Sequence, residues 1–171
     1  MEYMFLRILT SDEATIDVAG ESTIQGHEKD IELLSYSHGV SNPVNPSPSN
    51  VGRTSGRPNF GEMVISKKLD STSPLLNFYC AQAKNLGTTK LFLVRQDSEG
   101  ADQKDLTYMT YTMAKTLVSS VSVGGSGDIP METVTLNYSK LTWTYIPQEK
   151  DMGLEGNIEK YWDQETNTGT A

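Results

Sequence analysis

Histidine is the side chain most often recruited for metal binding and for proton transfer near neutral pH, and it occurs twice here, at His27 and His38, with Glu28 and Asp30 beside the first. A zinc centre favours histidines roughly three to five residues apart or a second ligand cluster elsewhere, and neither pattern is present. Both read as structural histidines, with no metal site. Cys80 is the sole cysteine, which excludes an internal disulfide and a cysteine-rich zinc site. It falls on an apolar helical stripe and reads as a small core residue. Gly124-Gly125-Ser126-Gly127 has the composition of a phosphate cradle. No Lys-Ser or Lys-Thr follows it, and it links two strands instead of opening a helix, so it reads as a hairpin loop. Serine is abundant, yet the Gly-x-Ser-x-Gly nucleophile elbow is absent. Trp143, Tyr145, Tyr161 and Trp162 could stack a ligand, but aromatic packing between strands explains them more simply. No catalytic residue, metal ligand or cofactor-binding residue emerges, and the chain reads as a non-enzyme.

The elements around these residues are mostly strands. Tyr3 to Leu9 is a dense β-prone run, and Ser11 to Gly26 is polar and Gly-punctuated, hence a loop. From Asp30 to Val40 the chain moves into strict alternation. Leu34, Tyr36, His38 and Val40 form a bulky phase expected to face the core, and Leu33, Ser35 and Ser37 fall in the other phase. Glu62 to Leu69 alternates again, with Met63, Ile65 and Leu69 expected inside. One helix is expected after Asp70-Ser71-Thr72-Ser73-Pro74, where a Ser or Thr caps it and Pro74 sits in its first turn. Leu75, Leu76, Phe78, Tyr79, Cys80 and Ala83 would give it a wide apolar stripe, and Asn85 and Gly87 would stop it.

Leu91 to Gln96 is a strand, and 97–102 a turn. Two very long strands follow, roughly Leu106–Val123 and Glu132–Tyr145. In the first, Lys115, Leu117, Ser119, Val121 and Val123 share a phase. In the second, Val134, Leu136 and Tyr138 are in one phase and Leu141, Trp143 and Tyr145 in the other, so a bulge or sharp bend is expected near Ser139–Lys140. Strands this long exceed the usual length and generally bend across two sheets or extend into a neighbour's sheet. Pro147 to Gly156 is a polar loop, Ile158 to Trp162 a last short strand, and 164–171 a frayed tail. The expected fold is mainly β: a β-barrel of two curled, mostly antiparallel sheets with one flanking α-helix, in a single domain over 1–171.

At 171 residues the chain suits one domain with a real hydrophobic core. Lys and Arg number 14 against 22 Asp and Glu, a net charge of −8. Such a chain is not drawn by bulk charge to a phosphate backbone or an anionic membrane, which argues against nucleic-acid binding and membrane insertion. No stretch approaches the apolar length of a membrane-spanning helix. The start MEYMFLRILTSDE has neither a basic nor an apolar region of signal-peptide type, so no Sec signal is expected, and synthesis in the cytoplasm is. Asp12-Glu13 and Glu149-Lys150-Asp151 read as solvated loops.

The most irregular stretch is 41–61, with Pro43, Pro46, Pro48 and Pro58 plus Gly52, Gly56 and Gly61. A loop of this length in a compact domain is uncommon and usually functional, and its ends join two strands. Arg53 and Arg57 are its only charges. On an acidic protein these arginines are candidates to meet carboxylates of an adjacent subunit or ring. Overlong strands, an oversized loop and serine-rich strand faces point to an assembly protein, because long open edges need covering.

Three stretches resemble the haemolysin-coregulated protein family, which forms the tube of the bacterial type VI secretion system. The first is Gly20-Glu21-Ser22-Thr23 with His27-Glu28-Lys29-Asp30-Ile31-Glu32-Leu33-Leu34-Ser35-Tyr36-Ser37-His38-Gly39-Val40, where Tyr36 and His38 stand for the family's aromatic pair. The second is Ile65-Ser66-Lys67-Lys68-Leu69-Asp70-Ser71-Thr72-Ser73-Pro74-Leu75-Leu76, similar to its Lys-x-x-Asp-x-x-Ser-Pro helix start. The third is Leu117-Val118-Ser119-Ser120-Val121-Ser122-Val123-Gly124-Gly125-Ser126-Gly127 followed by Glu132-Thr133-Val134-Thr135-Leu136-Asn137-Tyr138. The Pro-rich loop 41–61 departs from the family's Gly-rich composition.

The resemblance implies a homohexameric ring that stacks into tubes and is expelled with small effector proteins in its lumen. Its other partners would be the sheath, tip and baseplate proteins. It implies no cofactor, and secretion through the type VI apparatus without a Sec signal. A tail-tube-like subunit of a phage or other contractile particle is the alternative. A monomeric β-barrel binding a small ligand is a further one, and it predicts a closed apolar cavity. Within the tube reading, Ser35 and Ser37 are expected to face the lumen and touch cargo weakly, since short neutral hydroxyls leave no sticky patch.

Overall fold

The computed structural model describes residues 2–9, 18–43, 56–96, 105–127, 129–147 and 156–170. Arg53, the turn at 97–102, and the acidic stretches at 12–13 and 149–151 lie outside them. The strands in chain order are β1 (Glu2–Leu9), β2 (Ile31–Glu32), β3 (Ser35–Ser37), β4 (Val40–Ser41), β5 (Asn59–Phe60) and β6 (Met63–Lys68). Helix α1 (Ser73–Gln82) follows. Then come β7 (Thr88–Gln96), β8 (Asp105–Ala114), β9 (Leu117–Gly124), β10 (Met131–Asn137), β11 (Lys140–Tyr145), β12 (Ile158–Asp163) and β13 (Thr168–Gly169).

All pairings are antiparallel. A seven-stranded sheet runs β13-β12-β11-β8-β7-β1-β2, a four-stranded sheet β3-β6-β10-β9, and β4 pairs with β5. The expected curled pair of sheets is present; strand pairing does not close them into one barrel, and each sheet keeps two edge strands. The inner faces meet around Leu6, Ile31, Ile65, Leu91, Leu136 and Leu141, all essentially inaccessible to solvent.

Three corners carry the chain between sheets. The Leu33 N–H donates to Met4 in the first sheet, and the next, from Leu34, donates to Ser66 in the second. This switch corrects the expected phase. Leu33 is buried and Leu34 and Val40 are exposed, while Tyr36 and His38 are half-buried. The second corner divides the expected strand 106–123 into β8 and β9. Lys115 adopts a left-handed conformation (φ 50°), and the Thr116 N–H turns to the Gly87 carbonyl. A second slip, between Thr135 and Leu136, leaves Ser119 as an extra residue in β9. Lys115 and Ser119 therefore do not share a face with Val121, and Val118 is buried instead. The third corner, Tyr138–Ser139, lies at the bend expected near Ser139–Lys140 and divides β10 from β11.

Helix α1 has Thr72 at its N-cap position, though its hydroxyl bonds Asp70 and caps no helix N–H. Leu76 and Tyr79 are buried, but Phe78 is exposed, so the apolar stripe is narrower than expected. Ala83, not Asn85 or Gly87, takes the left-handed stop, with its N–H on Cys80. Cys80 is partly buried and packs against the core. The segment 164–171, expected to be frayed, instead supplies β13, paired with β12 at Trp162 and Asp163.

Candidate functional site

The outward face of the four-stranded sheet is built by alternation. In β6, Met63, Ile65 and Lys67 point inward and are buried, so Val64, Ser66 and Lys68 point outward. In β10, Glu132, Val134 and Leu136 are buried, which turns out Thr133, Thr135 and Asn137. Strand register then aligns two rows across the sheet. One is Ser35–Ser66–Thr133–Ser122, and the other Ser37–Val64–Thr135–Ser120. Seven of these eight side chains carry a hydroxyl. Ser35 and Ser66 hydrogen-bond to each other through their Oγ atoms, and the Ser119 hydroxyl donates to the Thr135 carbonyl at 3.1 Å. Ser35 and Ser37 are both solvent-exposed on this face. Such a face is wettable, short-branched and uncharged across its middle.

Beneath it lies a charged cluster that alternation alone misassigns. Leu69 was expected inside but is exposed, and Lys67 occupies the core phase with no solvent exposure. Its ammonium sits 2.6 Å from Asp70 Oδ1 and 2.7 Å from Glu132 Oε1, and donates to the Lys68 carbonyl at 3.0 Å. The Ser73 hydroxyl donates to Glu132 Oε1 and accepts the Asp70 N–H, tying the start of α1 to β10. Burial pushes the Asp70 carboxyl up, but hydrogen bonds from Lys67 and Thr72 outweigh it and hold the pKa below the usual range. Lys67, Asp70, Ser73 and Pro74 are the Lys-x-x-Asp-x-x-Ser-Pro pattern, which is the signal that could have found the cluster.

The histidines have separate settings. His27 stacks on Phe5 with ring centroids 4.4 Å apart and reaches Asp30 Oδ2 at 2.9 Å, while Arg7 grips both oxygens of Asp30. Gly20 belongs to this turn because a Cβ there would lie 2.2 Å from the Asp30 carbonyl oxygen. His38 lies at the base of loop 41–61. Tyr138 Oη donates to the Gly61 carbonyl at 2.8 Å, so His38 Nε2, 2.7 Å away, donates to Tyr138. Burial lowers the His38 pKa and raises those of the Tyr138 and Tyr111 phenols. Among the described residues no His/Cys/Asp/Glu group could hold a metal ion.

Arg57 donates to the Gln164 carbonyl of its own chain. The four aromatics do not form one stacking surface. Trp143 and Trp162 pack around Phe60 on one side of the seven-stranded sheet, and Tyr161 lies on the other side under the Lys140 ammonium, 4.0 Å from its centroid.

The chain matches the family described as type VI secretion system effector, Hcp, over residues 5–145. It is 32% identical over 147 residues to protein hcp1 of Pseudomonas aeruginosa, covering 85% of this chain and 88% of that one. It is 23% identical over 146 residues to the major exported protein of the same organism, covering 81% of each. A solved structure of a type six secretion system protein superposes with a TM-score of 0.83 at 25% identity, covering 99% of this chain and all of the other.

Proposed function

The chain belongs to the Hcp family of the type VI secretion system and is a tube subunit of that system; on that premise we propose that six copies close into a ring, and that rings stack into a tube whose bore is walled by the four-stranded sheet. The observation that carries this reading is the hydroxyl face itself, on a sheet with two open edges. Strands β3 and β9 each have one unpaired side. Joining β3 of one copy to β9 of the next removes both edges and makes the exposed faces one continuous wall. The wall presents serine and threonine, which let proteins pass without a contiguous apolar patch.

In this reading Ser35 and Ser37 touch small effector proteins in the lumen. Arg53 and Arg57 meet carboxylates of a neighbouring subunit or ring. Sheath, tip and baseplate proteins are the outer partners. The protein works without catalysis, is made in the cytoplasm and is exported through the apparatus without a Sec signal. No helix of the described residues is long and apolar enough to cross a membrane.

Light scattering tests the ring directly: the mass of six chains is expected, and a monodisperse single chain at micromolar concentration refutes it. Ser37→Gln projects a larger group into the bore while leaving the inner face alone. It is expected to keep the ring and to reduce retention of a lumen-bound protein. Deleting 45–57 should leave a folded domain that assembles or stacks poorly, and normal tubes from that variant would overturn the role given to the loop.

A further inference from the structure

Among the described residues, the exposed face of the four-stranded sheet bears two charges, and they stand at opposite ends of one strand. Glu62, Val64, Ser66 and Lys68 share the outward phase of β6. Six residues of strand separate the acid from the base by about 20 Å. Both side chains are exposed, and neither forms an ion pair with a described residue. Asn137 Nδ2 donates to Glu62 Oε1 at 3.1 Å, which fixes the carboxylate at its end of the face.

The two ends differ in more than charge. At the Lys68 end the chain exposes Leu34, Leu69, Val123, Ile129 and Met131. Met131 is paired with Lys68 and Gly124 across the strands, and the Leu69 N–H bonds the Pro130 carbonyl, so these side chains gather at one rim. Leu34, Leu69 and Ile129 line a single groove there with Lys68. An apolar rim around an unpaired cation is an interaction surface, because scattered exposed apolar residues need no partner but clustered ones do.

We propose that this end docks on the Glu62 end of a second copy, so that Lys68 and Glu62 set the polarity of stacking. The inference rests on the ring-and-tube reading above and assigns residues to it. A contact between unlike ends is heterologous and propagates as an open filament. Reversing one partner would set Lys68 against Lys68, or Glu62 against Glu62, and like-charge juxtaposition disfavours that register. One exposed pair contributes little by itself. The contact gains weight here because it repeats in every subunit of a ring and because the apolar rim excludes water from the pair.

The test uses the full chain as wild type, Lys68→Glu, Glu62→Lys, and the double exchange of both. Light scattering reads ring mass, and negative-stain electron microscopy reads filament length. Each single reversal is expected to keep the wild-type ring mass and to shorten filaments about fivefold or more at low salt. The double exchange restores them to within about twofold, and about 0.5 M salt erases the differences. Rings of normal mass whose filaments ignore the single reversals, or a double exchange as poor as either single, overturn the polarity assignment alone. Wild-type rings that never associate end to end also overturn it. A wild-type chain that stays monomeric overturns the ring reading and this inference with it.

Discussion

The inner and outer faces of the four-stranded sheet treat adjacent lysines in opposite ways. Lys67 has no exposure and spends its three N–H bonds on Asp70, Glu132 and a backbone carbonyl, whereas Lys68, one residue on, stands in water beside a row of hydroxyls. Inside, a charge is tolerable only with its partners in place, so the cluster is rigid and mutually dependent. Outside, neutral hydroxyls and well-spaced charges leave the face free to meet other chains. The same alternation that buries one lysine presents the other, and the sheet is thereby a stability element on one side and a contact surface on the other.

The comparison breaks most sharply at the lysines. Lys67→Met strands Glu132 and Asp70 as unpaired acids and is expected to cost about 3–5 kcal/mol in denaturant unfolding. Glu132 Oε2 already lacks a partner among the described residues, so the cluster has no spare donor to compensate. Lys68→Met should stay within about 0.5 kcal/mol. Equal losses at the two positions would end the distinction between the faces.

Acid sharpens it next. The Asp70 pKa is held below its unfolded value, so its contribution is present above about pH 4 and is lost as pH falls through the folded pKa. Asp70→Asn should flatten the stability–pH profile in that range, and an unchanged slope would remove Asp70 from the cluster's energetics. A smaller step belongs to His38. Its folded pKa is lowered by burial, so its protonation opposes folding, and stability should decline as pH falls below about 6.5. His38→Gln is expected to remove that step in thermal unfolding. The smallest effect belongs to the outer face. Ser37→Gln should leave unfolding within about 0.5 kcal/mol of the wild type, and a large loss would show that the hydroxyl row supports the fold.

What the sequence made readable follows from phase. The Ser139 corner was legible because Val134 and Leu141 cannot share a face without a break. The Lys115 corner was not, since β-prone residues run through it and only the left-handed backbone marks it. Leu34 misled for a related reason: the chain changes sheets between Leu33 and Leu34, and alternation counted across that switch puts the wrong residues inside. Lys67 was unreadable by alternation because its partner Glu132 lies far along the chain, while the hydroxyl face was legible through Ser35 and Ser37 and gained Ser66, Thr133, Ser120 and Ser122 only through register.

The order β13-β12-β11-β8-β7-β1-β2 also governs when the molecule can exist. Strand β1 leaves the ribosome first, yet its long partner is β7, some eighty residues later, and β12 receives β13 only as the last residues emerge. Pairings of such sequence separation must pay their loop-closure entropy before they gain contacts, which slows folding. The nascent chain therefore carries unpaired strands through most of its synthesis, and the three corners prevent either sheet from maturing alone. Rings can be built only from finished chains, which places assembly after translation.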